Sequence, residues 1–199
     1  MNTDKDLGEP APVPPLSSMD GKLNEVLKRL QALEGQVLKG GKENRLSMLV
    51  FSGSLDRILS AFVLASTAAA SGMQVEMFFT FWGLAALRDA RKNVHKDLLG
   101  KMFGWMLPRG MKQLPLSQMQ MGGMGPAMIR HVMKQKRMAS LDEMVAICAE
   151  FQVRISACDM SREIMGITPE ELIDYPYIDC CGAASFIERA TSSQIAFFI

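Results

Sequence analysis

Apolar positions along the chain change their spacing several times, and each change marks an element. Residues 1–18 have no period; Pro10, Pro12, Pro14 and Pro15 stand among small and polar residues, which predicts a disordered or polyproline-like tail. Over 19–42, Leu23, Val26, Leu30, Leu33 and Val37 lie on one face of an amphipathic helix that ends at Gly40 and Gly41. This seam is too short for an autonomous coiled coil, so the helix is expected to associate with copies of itself or to pack as an arm on its own domain. Leu46–Phe51 is a short apolar run bounded by Ser52, Gly53 and Ser54, and it reads as a buried strand. Ser54 is placed to cap a helix over 55–70, with Asp56 at the positive end of its dipole. Gln74–Thr80, rich in Val and Phe, is a second strand. Strand, helix and strand at this spacing make a βαβ unit and therefore a parallel sheet.

Beyond it the pattern predicts a helix over 81–94, then a glycine- and proline-broken insert over about 95–125. A basic helix follows from about 126 to 136. Ser140-Leu-Asp-Glu143 is a capping box that opens a helix over 141–151. Val153–Ala157 reads as a third strand, Thr168-Pro169 as a further helix start, and 177–179 as a short strand. A helix over 181–190 and an apolar strand over 194–199 close the chain. The expected architecture is α/β, an open, mostly parallel doubly wound sheet over 45–199, preceded by a helical arm. Residues 58–75 carry no charge and reach the lower limit for a membrane span, but Ser60, Ser66, Thr67, Ser71 and Gly72 favour a buried helix running into a strand.

Composition sharpens this picture. Hydrophobic residues make up 48% and charged residues 22%, enough for a substantial core, which excludes a wholly disordered chain, a collagen-like fibre and a small disulfide scaffold. The net charge of +1 gives no bulk argument for nucleic acid. It conceals an asymmetry: eleven basic residues against two acids over 88–137, and three against ten over 141–199. Such halves pair within one fold, or the basic segment receives an anionic ligand or partner. The chain also holds 17 methionines, of which Met102, Met106, Met111, Met119, Met121 and Met124 fall in the broken segment and form an adaptable apolar surface. That surface suits a lid, an oligomer contact or peripheral attachment to a membrane. The start, MNTDKDLGEP, has no apolar signal region, so a cytoplasmic location and reduced thiols are expected for Cys148, Cys158, Cys180 and Cys181. With no CxxC pair and only His95 and His131, no metal site and no cofactor are expected.

In an open α/β sheet ligands bind at the carboxyl ends of the strands, near the switch point. A 2-1-3 strand order would set that crevice between the first and third strands. The first strand contributes Ser52, Gly53 and Ser54 with the N-terminus of a helix, an anion-friendly turn. The third delivers Cys158, whose sulfur would lie at the start of a short helix, where the thiolate is favoured. Arg162, one turn further on, would assist while Asp159 opposes. A cysteine in such a place is as often a buried small hydrophobe as a nucleophile. Cys148 falls mid-helix among apolar residues and reads as core. Cys180 and Cys181, at a later strand-to-helix turn, are candidates for a second thiol that accepts sulfur or resolves a disulfide. No Ser–His–Asp set, carboxylate pair, P-loop or GxGxxG is present.

The stretches LSMLVFSGSLDRILSAFVLASTAAASGMQVEMFFTFWGLAAL, ISACDMSREIMGI and GAASFIERA, with the Met-rich basic insert between, resemble the long branch of the DsrE/DsrF-like family over about 46–199. The resemblance implies a three-layer α/β domain with flavodoxin-like wiring, commonly oligomeric, and a sulfur relay in which a cysteine carries persulfide between a donor and an acceptor protein. The matching cysteine is Cys158. Cys180 and Cys181 stand where relatives are expected to carry small or apolar residues. The expected function is thus a sulfur carrier or sulfurtransferase-like protein, the alternatives being a non-catalytic oligomeric interaction module or a thiol-based redox protein.

Overall fold

The computed structural model describes residues 23–31, 42–92, 94, 102 and 104–199, and the chain divides into two compact units, Met1–Gly41 and Lys42–Ile199. In the first unit residues 23–31 are helical, with Leu23, Val26, Leu27 and Leu30 exposed. The expected tail over 1–18, most of the rest of the 19–42 helix and most of 95–103 lie outside the described residues.

The second unit is built on one all-parallel sheet. Its strands are β1 (Glu43–Val50), β2 (Gln74–Phe79), β3 (Arg154–Cys158), β4 (Ile178–Cys181) and β5 (Ser193–Phe198), in the spatial order β4-β3-β2-β1-β5. The helices are α1 (Leu55–Ala70), α2 (Met124–Gln135), α3 (Leu141–Glu150), α4 (Asp159–Ile164) and α5 (Ala183–Thr191). The α/β class and the helix-flanked parallel sheet therefore match the reading of the sequence. The strand order does not follow the flavodoxin-like 2-1-3 arrangement, because β2 lies between β1 and β3. The chain adds β2, β3 and β4 in one direction and returns to β1 only with β5, so the reversal falls between β1 and β5.

Successive side chains of a strand alternate between faces, and the two faces here differ sharply. Leu46, Met48, Val50, Val75, Met77, Phe79, Ile155 and Ala157 point into the main core with Ile58, Phe62 and Ala65 of α1 and Met144 and Cys148 of α3. The opposite face carries Ser47, Glu76, Phe78, Ser156 and Cys158, all buried, and its cover is α5. Of α5 itself only Phe186 is buried. Its ring stacks on Phe78 with centroids 4.7 Å apart. Buried polar groups need partners, and Ser47 finds Ser193 Oγ at 2.7 Å while the Glu76 carboxylate accepts from Arg189 Nε at 2.7 Å.

The uncharged stretch over 58–75 is α1 running into β2. The helix stops at Ala70, where Gly72 adopts φ 81°. The Ser140–Glu143 capping box is present in full. Two expected helices are shorter. Phe81–Leu87 forms 3₁₀ turns instead of a helix to 94, because Phe81 takes φ 44° and the backbone of Gly83 presses on β1; a Cβ on Gly83 would lie 2.4 Å from Val50 O. Arg88 is then extended and bridges Leu172. The Thr168 start yields only a capped 3₁₀ turn over Pro169–Glu171.

Part of the charge asymmetry resolves into three pairs between the two segments. Arg88 and Glu171, both buried, meet at 3.1 Å; Lys92 meets Asp174 at 2.6 Å and Lys112 meets Asp142 at 3.6 Å. Arg88 also donates to the carbonyls of Gly104, Leu107 and Pro108, so one buried cation fastens the insert to the domain.

Candidate functional site

Cys158 is the last residue of β3 and the residue that precedes α4, with 2% of its surface exposed. It packs with Phe78 and Phe186, and with the partly buried Leu49, Cys181 and Ala190. Ser161 lies one turn into α4, its Oγ 3.4 Å from Cys158 Sγ and 2.7 Å from Thr80 Oγ1 at the end of β2. The thiol thus sits at the carboxyl rim of the sheet, under α5, with one hydroxyl chain beside it.

Cys181 stands directly opposite. The β3–β4 register pairs Cys158 with Cys181, and both side chains belong to the same small cluster beneath α5. Cys181 is half-buried and accepts a hydrogen bond from Arg189 Nη2 at 3.3 Å, while Arg189 is anchored through Nε on Glu76. Burial works against this guanidinium, yet its bonds to Glu76 and Cys181 carry its pKa above the ordinary value.

The remaining candidates are placed elsewhere. Cys180 alternates to the other side of β4, next to Arg162; burial pushes its thiol up and Arg162 partly offsets this. Arg162 is itself held by Asp159 at 3.2 Å and by the carbonyl of Ile167 at 3.1 Å. Ser52, Gly53 and Ser54 follow β1 and are separated from Cys158 by β2, which puts the two groups about 10 Å apart at a strand spacing of about 4.8 Å. In that loop the Ser52 and Ser54 hydroxyls bond each other at 2.9 Å, and the Leu55 N–H donates to Pro115 O at 2.7 Å. A Cβ on Gly53 would meet Trp82 O at 2.4 Å. Asp56, in the first turn of α1, accepts from Ser117 N at 2.9 Å, so the insert lies over this helix end. Cys148 is fully buried in α3, and burial pushes its thiol up to about 11.

The structure thus joins Cys158 to Cys181 and sets Ser52–Ser54 and Arg162 apart from that pair. Thr80, Ser161, Phe186 and Arg189 escaped the sequence reading. Nothing in their local pattern marks them, since each reaches the thiols only through the packing of another element. Among the described residues no group of three or more His, Cys, Asp or Glu is arranged to hold a metal ion, and no helix is long and apolar enough to cross a membrane. A groove of about 1170 Å³ opens on the far side of the sheet from Cys158, lined by Leu55, Leu59, Met111, Met133 and Met138 with Arg130 and Arg137 among its cations.

A buried thiol at the carboxyl rim of an all-parallel α/β sheet, with a second thiol on the neighbouring strand, defines a thiol-bearing α/β domain. The chain belongs to the DsrE/DsrF/DrsH-like family, whose sequence profile matches residues 42–198. It is 37% identical over 162 residues to the sulfur carrier protein DsrE2 of Allochromatium vinosum, covering 79% of this chain and 99% of that one. It is 38% identical over 156 residues to YrkE of Bacillus subtilis, a protein described as uncharacterized, covering 78% of this chain and 96% of that one. Among solved structures it is similar to the ychN protein of E. coli, with a TM-score of 0.46 and 9% identity over 78% of this chain and 98% of that chain.

Proposed function

We propose that this protein is a sulfur carrier and that Cys158 holds the sulfur. The observation that carries the reading is the position of Cys158 at the carboxyl rim of β3, next to a second thiol, in a chain 37% identical to a protein named as a sulfur carrier. The thiolate of Cys158 attacks the outer sulfur of a persulfide donor, R–S–SH. The new bond is Cys158 S–S, the donor S–S bond breaks, and R–S⁻ leaves. Transfer to an acceptor thiolate is the same step in reverse, so the carrier is neither oxidised nor reduced over a cycle. Burial keeps the held sulfur from water and stray thiols. The ultimate donor and acceptor are proteins.

Purified, reduced protein treated with inorganic polysulfide and analysed by peptide mass spectrometry should carry an additional 32 Da on Cys158, the mass of one sulfur atom. Cys158→Ala should lose that species. If the alanine variant takes up as much sulfane sulfur as the wild type, the assignment fails.

The cross-strand pairing of Cys158 with Cys181 also favours a thiol-redox reading, in which a sulfenic acid on Cys158 condenses with Cys181 and releases water. Peroxide treatment followed by non-reducing peptide mapping separates the two readings, since failure to trap a Cys158 disulfide counts against the redox one.

A further inference from the structure

Cys158 is closed to a macromolecular partner. With 2% of its surface exposed beneath Phe186 and Ala190, a donor protein's persulfide cannot approach it in line. Cys181 is half-buried, lies on the adjacent strand in direct register, and turns its side chain into the same cluster. Parallel neighbours are spaced about 4.7–4.9 Å apart, inside the window of about 4.4–6.8 Å over which two cysteine Cα atoms can be joined through sulfur.

We propose that Cys181 is the port through which sulfane sulfur reaches Cys158. This rests on the carrier reading given above. The Cys181 thiolate first takes the outer sulfur from a donor persulfide, R–S–SH, releasing R–S⁻. The Cys158 thiolate then attacks the outer sulfur of Cys181–S–SH. A Cys158 S–S bond forms, the Cys181 S–S bond breaks, the proton stays on the transferred sulfur, and Cys181 leaves as thiolate. No electrons are gained or lost. Arg189 meets the requirement of that leaving group: its Nη2 donates to Cys181 Sγ at 3.3 Å, and Glu76, 3% exposed, fixes the guanidinium from the other side. Charge-assisted bonds of this kind are strongest where the local dielectric is low. Cys180 has no part in the path, because alternation along β4 turns it away from the Cys158 cluster and towards Arg162. The order of transfer is therefore surface thiol, then buried thiol, and unloading runs through the same port.

The test uses the full chain, reduced and desalted, with glutathione persulfide as the donor. Samples are quenched with an alkylating agent from milliseconds to minutes and the persulfide is located by peptide mass spectrometry. In the wild type the additional sulfur should appear on Cys181 before Cys158. Cys158→Ser should trap it on Cys181. Cys181→Ser should slow loading of Cys158 by about tenfold or more, since the donor must then wait for α5 to open. Persulfide on Cys158 at the wild-type rate in Cys181→Ser, or first appearance on Cys180, overturns the port while leaving the carrier intact. No persulfide on Cys158 in the wild type overturns both. The order of appearance in the wild type decides the matter even where a variant folds poorly.

Discussion

Replacing Phe186 by alanine asks whether α5 is what shields Cys158. The helix contributes one buried side chain, and that ring lies flat on Phe78, 4.7 Å between centroids with a 14° tilt. Deleting it removes both the burial of the ring and the stacking. The low end of Phe→Ala costs fits a helix with so thin a contact, about 3 kcal/mol. The penalty falls on the closed state of α5 and not on the open one. At about 1.4 kcal/mol per decade the open population rises about 100- to 150-fold. Alkylation of Cys158 by iodoacetamide in the regime of fast reclosing is proportional to that population and should accelerate by the same factor. Cys148, buried under α1 and the sheet, is the internal reference, because it reports opening of the whole domain. The readout is the ratio of the two rates by peptide mass spectrometry. An unchanged ratio, with both cysteines accelerating together, would show that α5 opens only when the domain unfolds and would refute the reasoning.

Two further outcomes follow from charges and thiols described above. Arg88→Met takes the guanidinium away from the buried Glu171 carboxylate and frees three insert carbonyls from their donor, so chemical denaturation should show a loss of about 3–5 kcal/mol; a loss under 1 kcal/mol would remove the pair from any structural role. The Cys148 thiol titrates near 11 in the folded chain against 9.0 ordinarily, so between these pH values the unfolded state binds fewer protons and stability falls as pH rises. The stability gap between wild type and Cys148→Ala should therefore narrow by up to about 1.4 kcal/mol per pH unit over that window. Denaturant midpoints measured on both proteins check it, and a constant gap contradicts it.

The elements were legible because their signals are local. Short apolar runs marked β1 and β2, the Ser140–Glu143 box marked the start of α3, and Gly72 marked the end of α1. The order of strands was not legible. A βαβ unit sets the hand of a crossover but not which strand becomes the neighbour, so β3 could be set beside β1 on paper although it lies beside β2. The helix expected over 81–94 failed on tertiary grounds: Gly83 is drawn against Val50 and Arg88 into a buried ion pair. Cys158 was found from its position at a strand end. Its neighbour across the register could be named only as one of two adjacent cysteines, because the register that selects Cys181 over Cys180 is set by α4, the Pro169–Glu171 turn and the loops that join them to β4. Arg189 gave no sign in the sequence that it would reach back across the sheet to Glu76.

The thin cover over Cys158 has a consequence for timing. Every bimolecular reaction at a shielded atom is slowed by the same opening equilibrium, whether the reaction brings a group or takes it away. A gate of that kind cannot alter how much of the protein is occupied once equilibrium is reached, because entry and exit are attenuated alike. What it alters is the dwell time. A group resting on Cys158 with no exit through Cys181 is held longer in proportion to the time Phe186 spends on Phe78, so the few contacts of α5 lengthen, by a factor set by packing, the dwell time that the reactivity of the sulfur alone would give.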